Sequence, residues 1–268
     1  MIILGCIFAI FVGITLGLIG SGGSILTVPI LVYIMGVDAA LSTTYSLFAI
    51  GITSFIGAIR GIRRKEADLP KVLSFGIPSL NFVFITRSYI LPLVPEVIHI
   101  GGYAFAQNVL LMILFSFVMI TSSLSMIRSA KNGLEVPAEN TKTPIEVIIL
   151  QGTLVGLVTG LVGAGGGFLI IPALVNFYRL PMRRAVSTSL IIITINSFFG
   201  LMGDLEKFEV FDWPLLLIYT GGTVLGISIG FYLSDKISNK SLKIAFGYMI
   251  LLVGVYILIK EAILGVWI

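Results

Sequence analysis

Cysteine and histidine are almost absent from this sequence, which holds only Cys6 and His99. A single cysteine cannot form an internal disulfide. One residue of each kind also falls short of the ligands of a zinc site and of the members of a histidine-based catalytic triad. No pair of acidic residues lies within an apolar run. We therefore expect no metal, no cofactor and no enzymatic activity.

Charged residues are also scarce, at 11% of the chain, against about 25% in a soluble domain. Hydrophobic residues make up 57%, and the mean hydropathy is +1.09. So few charges cannot cover a water-soluble surface, so the apolar runs must face lipid. The net charge is +4, but the basic residues lie in short loops between apolar runs, where they set topology. We therefore expect a lipid bilayer around the protein and no nucleic-acid partner.

Ten apolar runs, five in each half, predict an all-α polytopic membrane protein. The runs cover 1–19, 24–36, 43–60, 71–92 and 105–128, and then 146–163, 167–178, 185–203, 213–233 and 242–264. The chain divides into a first membrane repeat at 1–128, a cytoplasmic linker at 129–145 and a second, inverted repeat at 146–268. The second run of each half is short, which favours a half-helix or a hairpin. Two full crossings would give the same parity.

The two halves repeat each other at a shift of 143 residues. Identical residues meet at Gly13/Gly156, Gly17/Gly160, Leu18/Leu161, Gly20/Gly163, Gly22/Gly165, Gly23/Gly166, Leu26/Leu169, Pro29/Pro172, Leu31/Leu174 and Val32/Val175. The loop at 60–71 is basic, whereas its counterpart at 204–212 is acidic. The positive-inside rule then orients the halves oppositely, with the linker inside and both termini outside.

A glycine-rich cluster precedes the short second run of each half. The first cluster is Gly20, Ser21, Gly22, Gly23 and Ser24, and the second is Gly163, Ala164, Gly165, Gly166 and Gly167. Irregular backbone inside a membrane must line a cavity or be buried in protein, and a following helix presents free N–H groups. The clusters therefore predict an anion site, and inversion would bring them together near the midplane. Helix packing is the alternative, which we favour for Gly13, Gly17, Gly156 and Gly160.

The third run of each half is rich in small polar side chains. We select the matched pairs Ser46/Ser189 and Ser54/Ser197, and also Asn196, as candidate substrate-binding residues. Hydroxyl and amide groups can donate to anion oxygens. They can equally donate to carbonyls of their own helix or join helices together, and the sequence does not separate these alternatives.

Arg87 lies late in the fourth predicted run. An arginine there can attract anions in an outer vestibule, or it can extend to the membrane interface. No acidic residue lies in the middle of a run, and Asp204 lies at the end of one. A proton relay is therefore not expected.

The pattern G-L-I-G-S-G-G-S-x-L-x-x-P at 17–29, repeated as G-L-V-G-A-G-G-G-x-L-x-x-P at 160–172, resembles the TauE/SafE family of sulfite exporters. The segment A-V-S-T-S-L at 185–190 belongs to the same resemblance, whereas the first half reads A-L-S-T-T-Y-S-L. The resemblance implies movement of small oxyanions, such as sulfite, thiosulfate or sulfoacetate, across the bacterial inner membrane. It places the anion path at the two glycine clusters, with the polar third runs beside them.

The favoured function is therefore an electrogenic, alternating-access exporter of a small sulfur oxyanion or organosulfonate. An anion channel and an ion-coupled importer of thiosulfate or sulfate are the alternatives. The expected partners are a small anionic substrate and lipid, and the sequence does not fix an oligomeric state.

Overall fold

The computed structural model describes residues 2–20, 23–95, 97–100, 103–131, 144–163, 165–176, 178, 180–234 and 239–264. The first half holds α1 (Ile2–Ile19), α2 (Ser24–Pro29), α3 (Ala39–Arg63), α4 (Leu69–Ile85) and α5 (Gln107–Lys131). The second half holds α6 (Ile145–Val162), α7 (Gly167–Asn176), α8 (Met182–Met202), α9 (Trp213–Ser234) and α10 (Asn239–Leu264). The helices follow the apolar runs in order, and the all-α polytopic prediction is confirmed.

Two helices are extended by π-helical turns and one short hairpin interrupts the helices. α2 continues through Ile30–Ile34, and α4 continues through Thr86–Ile90 and a last turn at Leu91–Leu93. A 3-10 helix at Leu205–Val210 connects α8 to α9. Strands β1 (Val97–Ile100) and β2 (Tyr103–Ala106) pair antiparallel, with Val97 opposite Ala106. The sequence predicted a loop there, because four-residue strands are too short to show a reliable alternation.

The outer surface of the helices suits lipid. Among the described residues, α3, α4, α5, α6, α8 and α9 are six helices long and apolar enough to cross a membrane. Large apolar side chains such as Phe117 and Leu252 are 62% and 73% exposed. In water these side chains would be unfavourable, whereas in a bilayer they face hydrocarbon. The chain is therefore a multi-pass membrane protein. α5 extends to Lys131, inside the predicted linker, and residues 132–143 of that linker lie outside the described part.

Polar caps begin the two long helices that follow the first glycine cluster. Asp38 precedes α3 and accepts hydrogen bonds from the backbone N–H groups of Ala40 at 2.9 Å and Leu41 at 3.2 Å. Asp68 precedes α4 and accepts from Lys71 N–H at 3.3 Å. Each cap satisfies backbone donors that have no partner within the helix. These caps fix where α3 and α4 enter the apolar layer.

Helix contacts exchange between the two halves. α1 packs along α9, and its repeat counterpart α6 packs along α4, which is the counterpart of α9. Likewise α3 contacts α9 while α8 contacts α4, and α3 packs directly against α8. A two-fold relation between the halves would produce this exchange. The orientation of each half in the membrane stays a prediction.

Glycines allow the closest of these helix contacts. A Cβ at Gly13 or Gly17 would collide with the backbone of α9, near Gly226 and Gly230. A Cβ at Gly156 would collide with the Ser79 carbonyl of α4, and one at Gly160 with the Thr86 side chain. Small residues let helix backbones approach in this way. The packing interpretation of Gly13, Gly17, Gly156 and Gly160 is confirmed.

α3 and α8 form an antiparallel pair at the centre of the protein. The positions of Gly51 and Gly61 on α3 face Ser197 and Ser187 of α8, respectively, and Gly200 of α8 faces Leu47. Polar side chains are also buried along this pair. They include those of Ser42, Thr43, Thr44, Thr53, Thr188 and Thr194. The position of a residue along this pair therefore indicates its depth in the protein.

Candidate functional site

Arg87 forms a buried ion pair at one end of the α3/α8 pair. Its Nη1 lies 2.5 Å from Asp204 Oδ2, and the exposed fractions of the two side chains are 0% and 2%. The Thr44 hydroxyl donates to the same Oδ2 at 2.7 Å. Burial excludes the interpretation that Arg87 extends to the membrane interface. The π-helical turn Thr86–Ile90 carries Arg87 into the protein, and Asp204 follows the last turn of α8.

A second nitrogen atom of Arg87, Nη2, adjoins the second glycine cluster. Nη2 would lie 2.6 Å from a Cβ added at Gly163, so the guanidinium approaches the backbone where α6 ends. Nη2 and Nε have no hydrogen-bond partner among the described residues. A buried guanidinium normally satisfies its donors, because each unsatisfied one costs desolvation free energy. Arg87 therefore presents unused donors beside a glycine backbone, a combination that suits an oxyanion.

The second cluster runs from that end of the helix pair to mid-depth. Gly163, Gly165 and Gly166 have φ values of 71°, 65° and 69°, a conformation that favours glycine. A Cβ at Gly165 would lie 2.9 Å from Ile193 Cγ2 and 3.4 Å from Ser197 Oγ. Gly167 is buried and begins α7, and Ala164 lies outside the described residues. The described glycines of this cluster thus form a buried, tightly packed turn, and the anion site expected here stays a prediction.

The first cluster lies toward the opposite end. Gly20 has a φ of 84°, and a Cβ there would strike Val186 of α8. Gly23 packs against Thr15 and precedes α2, whose first residue Ser24 is buried. Ser21 and Gly22 lie outside the described residues.

Gly20 and Gly163 lie far apart along the α3/α8 pair. Gly163 lies beside Thr43, whereas Val186 next to Gly20 adjoins Ser187, which faces Gly61. The eighteen residues from Thr43 to Gly61 span about 27 Å along α3, at 1.5 Å per residue. The expectation that the two clusters come together near the midplane stays a prediction, because Ser21, Gly22 and Ala164 lie outside the described residues.

The polar residues of α3 and α8 divide into two groups. Ser54 donates to Ile50 O, and Ser189 donates to Val186 O at 2.8 Å, so these two bond their own helices. In contrast, Ser46 Oγ and Ser197 Oγ are buried without a hydrogen-bond partner among the described residues. Asn196 Nδ2 donates to Ser79 Oγ at 2.7 Å while its Oδ1 is unpartnered there. Ser46 and Ser197 therefore keep hydroxyl groups that can donate to an anion, whereas the unused atom of Asn196 is an acceptor.

Comparison with known proteins gives one family. The model of the family described as "Sulfite exporter TauE/SafE" matches residues 5–257. This chain belongs to the TauE/SafE family. A "Probable membrane transporter protein" of Methanocaldococcus jannaschii is 28% identical over 269 residues, covering 93% of this chain and 94% of its own. Another of Xylella fastidiosa is 27% identical over 255 residues, covering 92% and 91%. The protein YunE of Bacillus subtilis, with the same description, is 24% identical over 262 residues, covering 92% and 94%. No solved structure matches significantly.

Family membership and the apolar helices establish that the chain is a membrane transporter. This TauE/SafE protein also has an open cleft that the sequence motifs did not indicate. The cleft has a cavity volume of about 60 Å3 and is open on one side. Its walls carry Arg60, Arg64, Arg183 and Glu66, at the end of α3 opposite the Arg87 pair. The loop charges were used only for topology, because sequence alone does not show that α1, α3, α8 and α9 leave a space between them.

Proposed function

We propose that this chain exports a small sulfur oxyanion or organosulfonate, such as sulfite or sulfoacetate, across the bacterial inner membrane. The observation that carries the proposal is the buried Arg87, whose Nε and Nη2 have no hydrogen-bond partners in the described part of the chain and whose Nη2 adjoins Gly163. A guanidinium offers five N–H donors in a planar fork that matches oxyanion geometry. The family description supports the same substrate class.

The proposed path follows the α3/α8 pair between the two glycine clusters. We keep as candidate substrate-binding residues Gly20, Ser21, Gly22, Gly23, Ser24, Ser46, Ser54, Gly163, Ala164, Gly165, Gly166, Gly167, Ser189, Asn196 and Ser197. Among them, Ser46 and Ser197 are favoured, because their buried hydroxyl groups lack partners in the described region and can donate to an oxyanion. The unpartnered atom of Asn196 is its amide oxygen, which only accepts. Arg87 changes from a vestibule residue to a buried ligand at the outer end of the path.

Alternating access is favoured over a channel by the difference between the two ends. One end holds an open cleft, whereas the other is filled by Arg87, Asp204 and Thr44. A conducting pore needs both ends open at once. A carrier instead opens one end at a time by moving one half against the other. The N- and C-termini lie outside in this proposal, and the cleft opens to the cytoplasm, because the basic loop 60–71 adjoins it.

The membrane potential can drive such export. Each charge moved is worth about 2.3 kcal/mol per 100 mV, and a dianion about 4.6 kcal/mol. The latter figure corresponds to a concentration ratio of about a thousandfold. The bacterial interior is negative, so an anion leaves downhill and needs no coupled proton or sodium ion. The lack of a carboxylate in the middle of a predicted run agrees with this mechanism.

The proposal is tested in proteoliposomes loaded with sulfoacetate and clamped with potassium and valinomycin. An inside-negative potential should speed efflux at equal pH on both sides, and Arg87→Gln should abolish that efflux. Arg128→Gln is the matched control, because it removes a guanidinium from an exposed position on α5. Efflux that ignores voltage and follows an imposed pH gradient would instead support the ion-coupled importer. Flux at channel rates without saturation would support the channel.

A further inference from the structure

The cleft opposite the Arg87 pair is lined by four helices. α1 contributes Gly17 and Leu18, and α3 contributes Gly57, Arg60 and Gly61. α8 contributes Arg183 and Val186, α9 contributes Phe231 and Ser234, and Arg64 and Glu66 follow α3. Small residues on one wall keep the space open, because side chains at Gly57 and Gly61 would approach Leu190 and Ser187. The cleft is therefore a consequence of the same glycines that pack these helices.

The charge in the cleft is mainly positive. Among the described residues that line it, three guanidinium groups stand against the carboxylate of Glu66, which also accepts a hydrogen bond from Ser187 at 3.2 Å. Arg60 is held in place, since its guanidinium carbon lies 4.1 Å from the centroid of the Phe231 ring. A concave surface with one dominant charge concentrates ions of the opposite sign. An arginine fixed against an aromatic ring loses little side-chain freedom when it binds an oxyanion.

The floor of the cleft adjoins the first glycine cluster. Val186 lines the cleft, and the same side chain contacts Gly20. An anion in the cleft would therefore lie at the beginning of the path proposed above. This position distinguishes the cleft from a surface patch of basic loop residues.

The repeat relates this cleft to the Arg87 pair. Adding 143 to Gly17, Gly57 and Gly61 gives Gly160, Gly200 and Asp204. Subtracting 143 from Val186 and Ser187 gives Thr43 and Thr44. The counterpart of the open cleft is thus the region where Arg87, Asp204 and Thr44 bond to one another. The two ends correspond in the repeat, but one is filled by the Arg87 and Asp204 pair whereas the other is an open cleft.

We propose that the cleft is a binding site for the oxyanion at the cytoplasmic end of the path, with Arg60 and Arg183 as its principal ligands. The proposal rests on the proposed function for the identity of the anion as the transported substrate. Sulfonate, sulfate and lipid phosphate share the required chemistry, so the experiment below separates soluble anions from lipid headgroups.

The test uses Ser234→Cys in a Cys6→Ala background, because Ser234 lines the cleft and Cys6 is the only native cysteine. Labelling rates are compared for an anionic sulfonatoethyl thiosulfonate reagent and a cationic trimethylammonioethyl one, each normalised to a free thiol. The anionic reagent should be favoured, and Arg60→Gln or Arg183→Gln should lower the anion-to-cation ratio about tenfold, the lower limit for focusing by a charged cleft. Arg183 is exposed, so its variant folds even if Arg60→Gln does not. Arg128→Gln should leave the ratio unchanged.

Protection then identifies the occupant. Millimolar sulfoacetate should slow labelling of Ser234→Cys in vesicles of phosphatidylcholine alone. An unchanged reagent ratio in both arginine variants overturns the proposal. So does protection by added phosphatidylglycerol without protection by sulfoacetate, because the site would then hold a lipid headgroup. Labelling needs no transport, so protection without sulfoacetate efflux would retain the cleft site and reject the exporter. Sulfoacetate efflux without protection of the cysteine would retain the exporter and reject the cleft site.

Discussion

Removal of the Asp204 charge should destabilise the protein more than removal of the Arg87 charge. Loss of one partner from a buried ion pair costs about 3–5 kcal/mol, because the other charge is left uncompensated. In Asp204→Asn, a fully buried guanidinium would remain, with Nε and Nη2 already unpartnered among the described residues. A guanidinium stays charged at physiological pH, whereas a carboxylate left alone in Arg87→Gln can be neutralised by a proton. The carboxylate also keeps its hydrogen bond from Thr44 at 2.7 Å.

The expected values follow from that asymmetry. Asp204→Asn should lower the free energy of unfolding by about 3–5 kcal/mol, and Arg87→Gln by less. The double variant should recover most of the loss, because it leaves no buried charge at this position. The four proteins are compared by reversible unfolding in mixed detergent micelles of increasing dodecyl sulfate fraction. A double-mutant cycle then gives the coupling energy.

A surface ion pair provides the control. Lys71 and Asp68 are 3.2 Å apart, but their side chains are 28% and 18% exposed. Lys71→Gln should cost at most about 1 kcal/mol. The reasoning is refuted if the losses from Asp204→Asn and Arg87→Gln simply add in the double variant. It is equally refuted if Asp204→Asn costs no more than Lys71→Gln.

The glycine turn and the topology each give a further prediction. Gly165→Leu should abolish transport while the protein still inserts, since a side chain at φ 65° is strained and would meet Ile193. Gly221→Leu has open space around its Cβ position and should transport normally in the same vesicle assay; equal activity of both variants would remove the turn from the path. Single cysteines at Arg63 and Glu206 in the Cys6→Ala background should react differently with a membrane-impermeant thiol reagent on intact cells. Only the cysteine at Glu206 should be labelled, because its loop is acidic and the loop of Arg63 is basic, and labelling of both would contradict opposite orientation of the halves.

Much of the fold could be predicted from sequence because lipid imposes a simple requirement. A span must bond its backbone internally and expose apolar side chains, so apolar runs indicated the helices directly. Glycine spacing also identified the contacts at Gly13 and Gly17, since close backbone approach needs small residues at one helical face. The π-helical extensions of α2 and α4 have no comparable pattern, because the same apolar residues suit α- and π-helical turns.

The candidate site was less predictable because it depends on distant pairs. Arg87 and Asp204 are separated by 117 residues, and neither the run that holds Arg87 nor the one that ends at Asp204 indicates the other. The free hydroxyls of Ser46 and Ser197 were equally indistinguishable from those of Ser54 and Ser189, because partner choice depends on rotamer and neighbouring helix. The distance between the glycine clusters was not predictable either, since inversion makes the clusters equivalent but does not fix how close they come.

The two ends of the path differ through few positions of the repeat. At the cleft, Arg60 comes from the third helix, and its repeat counterpart in the second half is Gly203. At the closed end, the arginine comes from the fourth helix, and its counterpart is Gly230. Each of these two arginines therefore corresponds to a glycine in the other half. At the closed end, a Cβ at Gly203 would collide with the Cβ of Arg87, so a glycine is needed there. Asp204 stands at the repeat position of Gly61, so a carboxylate at the end of α8 pairs with the arginine at the closed end. At the cleft, Glu66 is the lining carboxylate among the described residues, and the space between it and the arginines stays open.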